Sequence, residues 1–219
     1  MADSRDETDR SGDATAEAVL AAATEEFAAR GFHLTRVRDI ATRAGANVAA
    51  ISYHFGGKQE LYLEVLRRQA RARIRRYPIP SPDAATPDIA LRFAITAILS
   101  RFLADDDSAV VPKLFVRELG APTPALRTMI EDVIRPQFSA LSAIVAQLLG
   151  PDAGPELVQR SAFSIVSQCI FYLFARPIVE VLSPQTLDGD AVERLALHIA
   201  RFSLGGLGAL RQQLEEKDA

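Results

Sequence analysis

The chain has 219 residues, 48% of them hydrophobic, which is enough for one large core or two small ones. A single cysteine, Cys169, excludes an intramolecular disulfide and fits a reducing compartment. The formal charge of −3 argues neither for nor against a polyanionic partner until it is divided: residues 1–13 hold two arginines and five acids (−3), residues 14–76 eleven Lys or Arg against six acids (+5), and residues 77–219 twelve against seventeen (−5).

Residues 1–13 have no apolar side chain after Met1 and read as a disordered tail. They contain no signal-peptide core, and no apolar run reads as a membrane span, so a soluble cytoplasmic protein without a membrane partner is expected. The first helix is predicted over Ala14–Arg30. Val19, Ala23 and Phe27 step by four along it, and Gly31 ends it. A second, short helix follows, with Val37, Ile40, Ala41 and Ala44 on one face and Thr35 as its expected N-cap. Gly45 stops it where the chain needs a left-handed residue, and Asn47 caps a third helix carrying Val48, Ile51 and Phe55. Helix, glycine-containing turn, helix is the layout that places a second helix in a DNA major groove, although an ordinary packed helix pair has the same periodicity.

Gly56-Gly57 breaks that helix and Lys58 opens the next, which runs to Arg76 with Leu61, Tyr62, Val65 and Leu66 on its apolar face. A lysine beside a helix N-terminus suits a phosphate. The tail RRQARARIRR is either a solvated face or a basic flank near a DNA backbone. Four prolines in YPIPSPDAATP make residues 77–87 a stiff connector. Beyond it, helices are predicted at about 88–104, 108–119 (capped by Ser108), 124–149 (kinked or broken near Pro136), 155–182 (kinked at Pro177) and 189–216. Strand signals are absent.

The run from about Ala14 to Arg76 resembles the DNA-binding domain of the TetR family of transcriptional regulators. The residues that carry the resemblance are Phe27, Gly31-Phe32, Thr35, Val37-Arg38-Asp39-Ile40-Ala41, Ala44-Gly45, His54-Phe55, Lys58 and Leu61. Where most of that family has a tyrosine two residues before the histidine, this chain has Ser52, followed by Tyr53. NVAAISYHFGGKQELY, and later FVRELGAPTPAL, SQCIFYLFARPIVE and HIARFSLGGL, are similar to its CecR-like subgroup.

The resemblance implies an all-α protein. It has an N-terminal three-helix helix-turn-helix domain (14–76), a linker (77–87) and a C-terminal helical ligand-binding and dimerisation domain (88–219). The expected DNA contacts are Asn47, Ala49 and Ala50 near bases, Thr35, Tyr53, His54 and Lys58 on phosphates, and Arg36, Arg38, Val48 and Ser52 also at the DNA. Asn can read adenine, and Val and Ala can touch thymine methyls. Whether Ser52 or Tyr53 supplies the phosphate-binding hydroxyl is open, and Tyr53 could instead pack on the fourth helix.

In the C-terminal half Phe102, Phe115, Arg117, Phe138, Gln168 and Tyr172 are the candidate effector-binding residues, with Arg117 and Arg176 able to meet an anion or to pair with Glu118 or Glu180. Gly205, Gly206 and Gly208 are costly in a helix and are explained if a partner backbone passes close, making the last two helices the dimer interface. Enzymatic chemistry has little support. His33, His54 and His198 have no partner at metal spacing, and Asp105-Asp106-Asp107 lacks the Gly and Glu of a calcium loop. Cys169 reads as a buried structural residue. The expectation is a homodimeric regulator, without cofactor or metal, that binds an inverted-repeat double-stranded operator and is released by an unidentified small-molecule effector. The alternative is a helical ligand carrier or enzyme that has lost DNA binding.

Overall fold

A computed structural model describes residues 3–83, 85–104 and 110–217. Among them the regular structure is helical: α1 (Asp3–Leu34), α2 (Val37–Ala44), α3 (Val48–Phe55), α4 (Lys58–Arg76), α5 (Pro87–Leu103), α6 (Val110–Gly120), α7 (Ala125–Met129), α8 (Arg135–Leu149), α9 (Pro155–Phe174), α10 (Arg176–Leu182) and α11 (Ala191–Lys217). Ser108 and Asp105-Asp106-Asp107 lie outside the described residues.

The helix ends follow local chemistry. Gly31 (φ 74°) breaks α1 where the sequence places its end, and Gly45 (φ 64°) closes α2 in the left-handed conformation. The region around Pro136 is irregular, as expected. A π-helical turn, Ile130–Ile134, separates α7 from α8, and Pro136 sits in the first turn of α8, where its missing N–H costs nothing. Pro177 has the same place in α10, after a break at Ala175. Residues 3–13, read from sequence as a disordered tail, instead continue α1. No proline interrupts them.

The chain folds as two compact units. The first takes the described residues of 1–71 together with 110–130, and the second those of 72–109 and 131–219. The division therefore falls inside α4 rather than in the proline-rich stretch, and α6 belongs to the first unit rather than to a C-terminal domain starting at 88. Side chains explain both departures. The Glu118 carboxylate of α6 is only 3% exposed and accepts bonds from the Tyr62 hydroxyl of α4 (2.8 Å) and from the N–H and hydroxyl of Thr123 (2.8 Å each). Arg117 donates to the carbonyl of Ala29 in α1 (2.8 Å). In the second unit Arg73, 2% exposed, donates to the carbonyl of Arg101 (3.0 Å).

The first unit's core joins Phe27, Ile40, Ile51, Leu61, Tyr62 and Val65, all essentially buried. Phe55 is only half-buried. Among the described residues, ion pairs stitch α1 to its neighbours: Arg30 to Asp39 (3.1 Å), Arg43 to Glu25 and Glu26 (2.8 Å each) and Arg68 to Glu17 (2.6 Å). The second unit packs α5, α8, α9 and α11 around Leu91, Ile95, Leu99, Ile144, Ile165 and Ile199. By length and apolarity alone α9 could cross a membrane, contrary to the sequence expectation. Here it turns Val158, Ala162, Ile165 and Cys169 into that core. Burial pushes the Cys169 thiol up to about 12, so at neutral pH it is an inert, apolar filler.

Candidate nucleic-acid interface

Helix α3 is held by a cap at each end. The Asn47 side-chain oxygen accepts from the N–H of Ala50 (2.7 Å), and Gly56 (φ 81°) returns its N–H to the carbonyl of Ser52 (3.0 Å). Ile51 points into the core at 0% exposure. The opposite face, Asn47, Val48, Ala49, Ser52 and Tyr53, is exposed, with Ala50 at its edge. Tyr53 is 86% exposed and therefore does not pack on α4. The helix thus offers a small, mostly apolar ridge flanked by an amide, a hydroxyl and a phenol, which matches major-groove readout by shape, methyl contact and amide pairing. Replacing Asn47 by Ala removes the cap and costs about 0.5–2 kcal/mol. Asn47→Ser keeps a cap, so any change in base preference measured on it by competition with mutated operators is readout rather than folding; unchanged affinity and preference would make Asn47 a cap alone.

The phosphate-facing set is smaller than the sequence suggests. Lys58 opens α4 beside Gly56-Gly57, its ammonium 4.5 Å from the centre of the Phe32 ring, and partial burial lowers its pKa. A cation held over an aromatic face is already oriented before DNA arrives. Arg36 and Arg38 are exposed at the start of α2. Thr35 is a correction. It is 1% exposed, and its hydroxyl faces the carbonyls of Gly31 (2.8 Å) and Glu26 (3.1 Å). It closes the end of α1 instead of capping α2, whose N-cap, Arg36, makes no side-chain cap bond. Its side chain cannot reach a phosphate from there. His54 is half-buried, its ring 5.0 Å from that of Tyr53, in a groove it shares with Glu17, Glu60 and Glu64 of α1 and α4. Arg67 and Arg68 line the same groove, so it carries charges of both signs around His54.

The candidate effector residues are divided between the two units. Phe115 and Arg117 sit on α6 in the first unit, and Arg117 is engaged by Ala29. Arg176 pairs with Glu180 (2.8 Å) at the surface. In the second unit Gln168 and Tyr172 line a cavity of about 390 Å³ with Ser167, Phe171 and His198. Phe138 stacks on Phe163 at 4.5 Å, and Phe102 packs half-buried on the core. Among the described residues no three His, Cys, Asp or Glu side chains group as metal ligands.

Comparison with known proteins places both halves. Residues 19–65 match the profile described as bacterial regulatory proteins, tetR family, and residues 87–207 match the C-terminal domain of the HTH-type transcriptional dual regulator CecR. The chain is 30% identical over 180 residues to the dual regulator CecR of Shigella flexneri, covering 77% of this chain and 79% of that protein. It is 28% identical to the HTH-type transcriptional regulator RutR of Escherichia coli K12, covering 83% and 84%. Among solved structures it is similar in fold to the transcriptional regulator FadR of Bacillus subtilis in complex with stearoyl-CoA, with a TM-score of 0.64 at 19% identity over 87% of this chain and 98% of that one.

Proposed function

The chain belongs to the TetR family of helix-turn-helix transcriptional regulators, in its CecR-like group, and from that premise we propose a homodimeric repressor that a small molecule releases from an inverted-repeat operator. The observation that carries the reading is the α3 ridge: a doubly capped helix with its polar and methyl-bearing face wholly exposed, in the one segment of the chain that is net positive. Asn47, Val48, Ala49, Ala50 and Ser52 read the groove. Tyr53, Arg36, Arg38 and Lys58 hold the backbone. The working compartment is the cytoplasm, and no catalytic step is assigned.

Labelled DNA from upstream of the protein's own gene is the direct test. Nanomolar binding that survives excess random DNA supports the reading, and binding no tighter than to random DNA removes it. A ligand-responsive second unit is supported by the fold shared with FadR, whose structure holds stearoyl-CoA.

A two-fold operator needs a two-fold protein. On α9 and α11 the second unit leaves Phe163, Phe171, Leu197 and Phe202 exposed, and a methyl group added at Gly205, Gly206 or Gly208 would meet nothing within 4 Å in the protomer itself. We assign this face to the dimer, with the glycines admitting the partner's backbone. Gly206→Leu then leaves the protomer fold intact but overpacks the contact, and sedimentation at micromolar concentration should show monomer. A wild-type dimer in that variant would mean that the glycines face elsewhere.

A further inference from the structure

Arg30, Arg43, Arg68, Arg135, Arg160, Arg176, Arg194 and Arg211 each answer a carboxylate. Arg101, in the last turn of α5, does not. It is 8% exposed, yet its Nε donates to the carbonyl of Tyr77 (2.9 Å) and its Nη2 to the amide oxygen of Gln137 on α8 (2.8 Å), both neutral acceptors. Among the described residues its Nη1 donates to nothing. The backbone carbonyl of the same residue takes the Nε of the still more deeply buried Arg73 (3.0 Å), so a second cation stands at this end of α5. Burial pulls the Arg101 guanidinium down to about 10, which still leaves it charged at neutral pH. The guanidinium is largely out of water and has no carboxylate partner among the described residues, whereas buried charges in proteins are ordinarily paired, and its Nη1 is not among the buried atoms left without a partner, so it remains reachable. Phe102, Leu103, Ile79 and Phe138 pack half-buried against the core of this unit.

We propose that Arg101 is the anchor of the effector site, and that the effector is an organic carboxylate with an apolar body. The carboxylate takes the guanidinium edge in a two-bond fork, through Nη1 and through the Nη2 now held by Gln137. The Gln137 side chain turns aside, and the apolar body lies toward Phe102 and Phe138. The inference rests on the ligand-released reading above and gives that ligand a chemical class. It also replaces Arg117 and Arg176, which the structure shows to be engaged.

Octanoate and its neutral twin octanamide are suitable probes, tested on the full-length protein by thermal melting and by release of bound operator. Octanoate should raise the melting temperature and displace operator, and octanamide should do neither. Arg101→Met exchanges a buried cation for an apolar chain of similar reach. It should bind operator as before and lose at least tenfold in octanoate affinity. Arg101→Lys keeps the charge without the fork, so it should fall between the two, and it serves if the methionine variant does not fold. Equal responses to the two probes, no response to octanoate, or an undiminished response in both variants would each overturn the proposal. Operator binding without ligand is read separately: its absence in the wild type sinks the regulator reading, whereas its presence with an inert octanoate sinks only the assignment of Arg101.

Discussion

Raising salt from 50 to 200 mM should cost the operator complex about 10³–10⁵ in affinity, the loss expected when a dimer neutralises roughly six to ten phosphates. The expectation comes from the net positive charge of residues 14–76 and from which of their cations are not committed elsewhere. Arg30, Arg43 and Arg68 are committed to acids of α1 and α2, and Arg73 is buried in the second unit. Lys58, Arg36 and Arg38 are left at the α2–α4 end of the unit. Lys58→Ala should weaken binding to operator and to random DNA alike and flatten the salt slope by about one unit. An unchanged slope would take Lys58 out of the interface. Tyr53→Phe, measured in the same titration, settles the hydroxyl left open by the sequence: a loss there assigns the contact to Tyr53, and no loss leaves it to Ser52. Thr35→Val should leave the slope alone, since that hydroxyl already serves Gly31 and Glu26.

What could be read from the sequence was what a few neighbouring residues decide. Gly31, Gly45 and Gly56 end helices because each stands where the backbone turns left-handed, and Asn47 caps α3 through a residue three positions on. The exposed face of α3 was legible for the same reason: Ile51 points inward, so Ser52 and Tyr53 point out. Thr35 was misread because its partners lie behind it, on the preceding helix, where a cap for the following helix was expected. The arginines of the second half were opaque. Arg117 finds Ala29 across 88 residues, and Arg101 finds Gln137 across 36. Nothing in local spacing says which arginine will meet a carbonyl, which a carboxylate and which neither. The grouping of α6 with the first unit was hidden in the same way, since it depends on Glu118 meeting Tyr62 at a separation of 56.

Phe27→Ala should be the most damaging single change in the first unit. Phe27 is fully buried, and its ring meets that of Tyr62 edge-on at 4.8 Å. Tyr62 in turn lies 5.1 Å from Phe32, the ring that seats the Lys58 ammonium, and its hydroxyl is held by Glu118. Burial and the Glu118 carboxylate both push the Tyr62 pKa upward, so the phenol stays a neutral donor. Truncating Phe27 removes the ring around which these contacts close, and a buried Phe→Ala change typically costs about 3–5 kcal/mol. Domains of this size are stable by about 5–15 kcal/mol, so the variant keeps a small margin or none. Urea unfolding should show the loss in the midpoint. Operator affinity should fall with it, because α1 is the brace against which α2 and α3 are set. Phe27→Leu, which refills most of the volume, should recover much of the stability while leaving the Tyr62 edge contact broken. If the Ala variant unfolds within about 1 kcal/mol of the wild type, the aromatic cluster is not what holds the helix-turn-helix, and the ion pairs of Arg43 and Arg68 with α1 become the leading alternative.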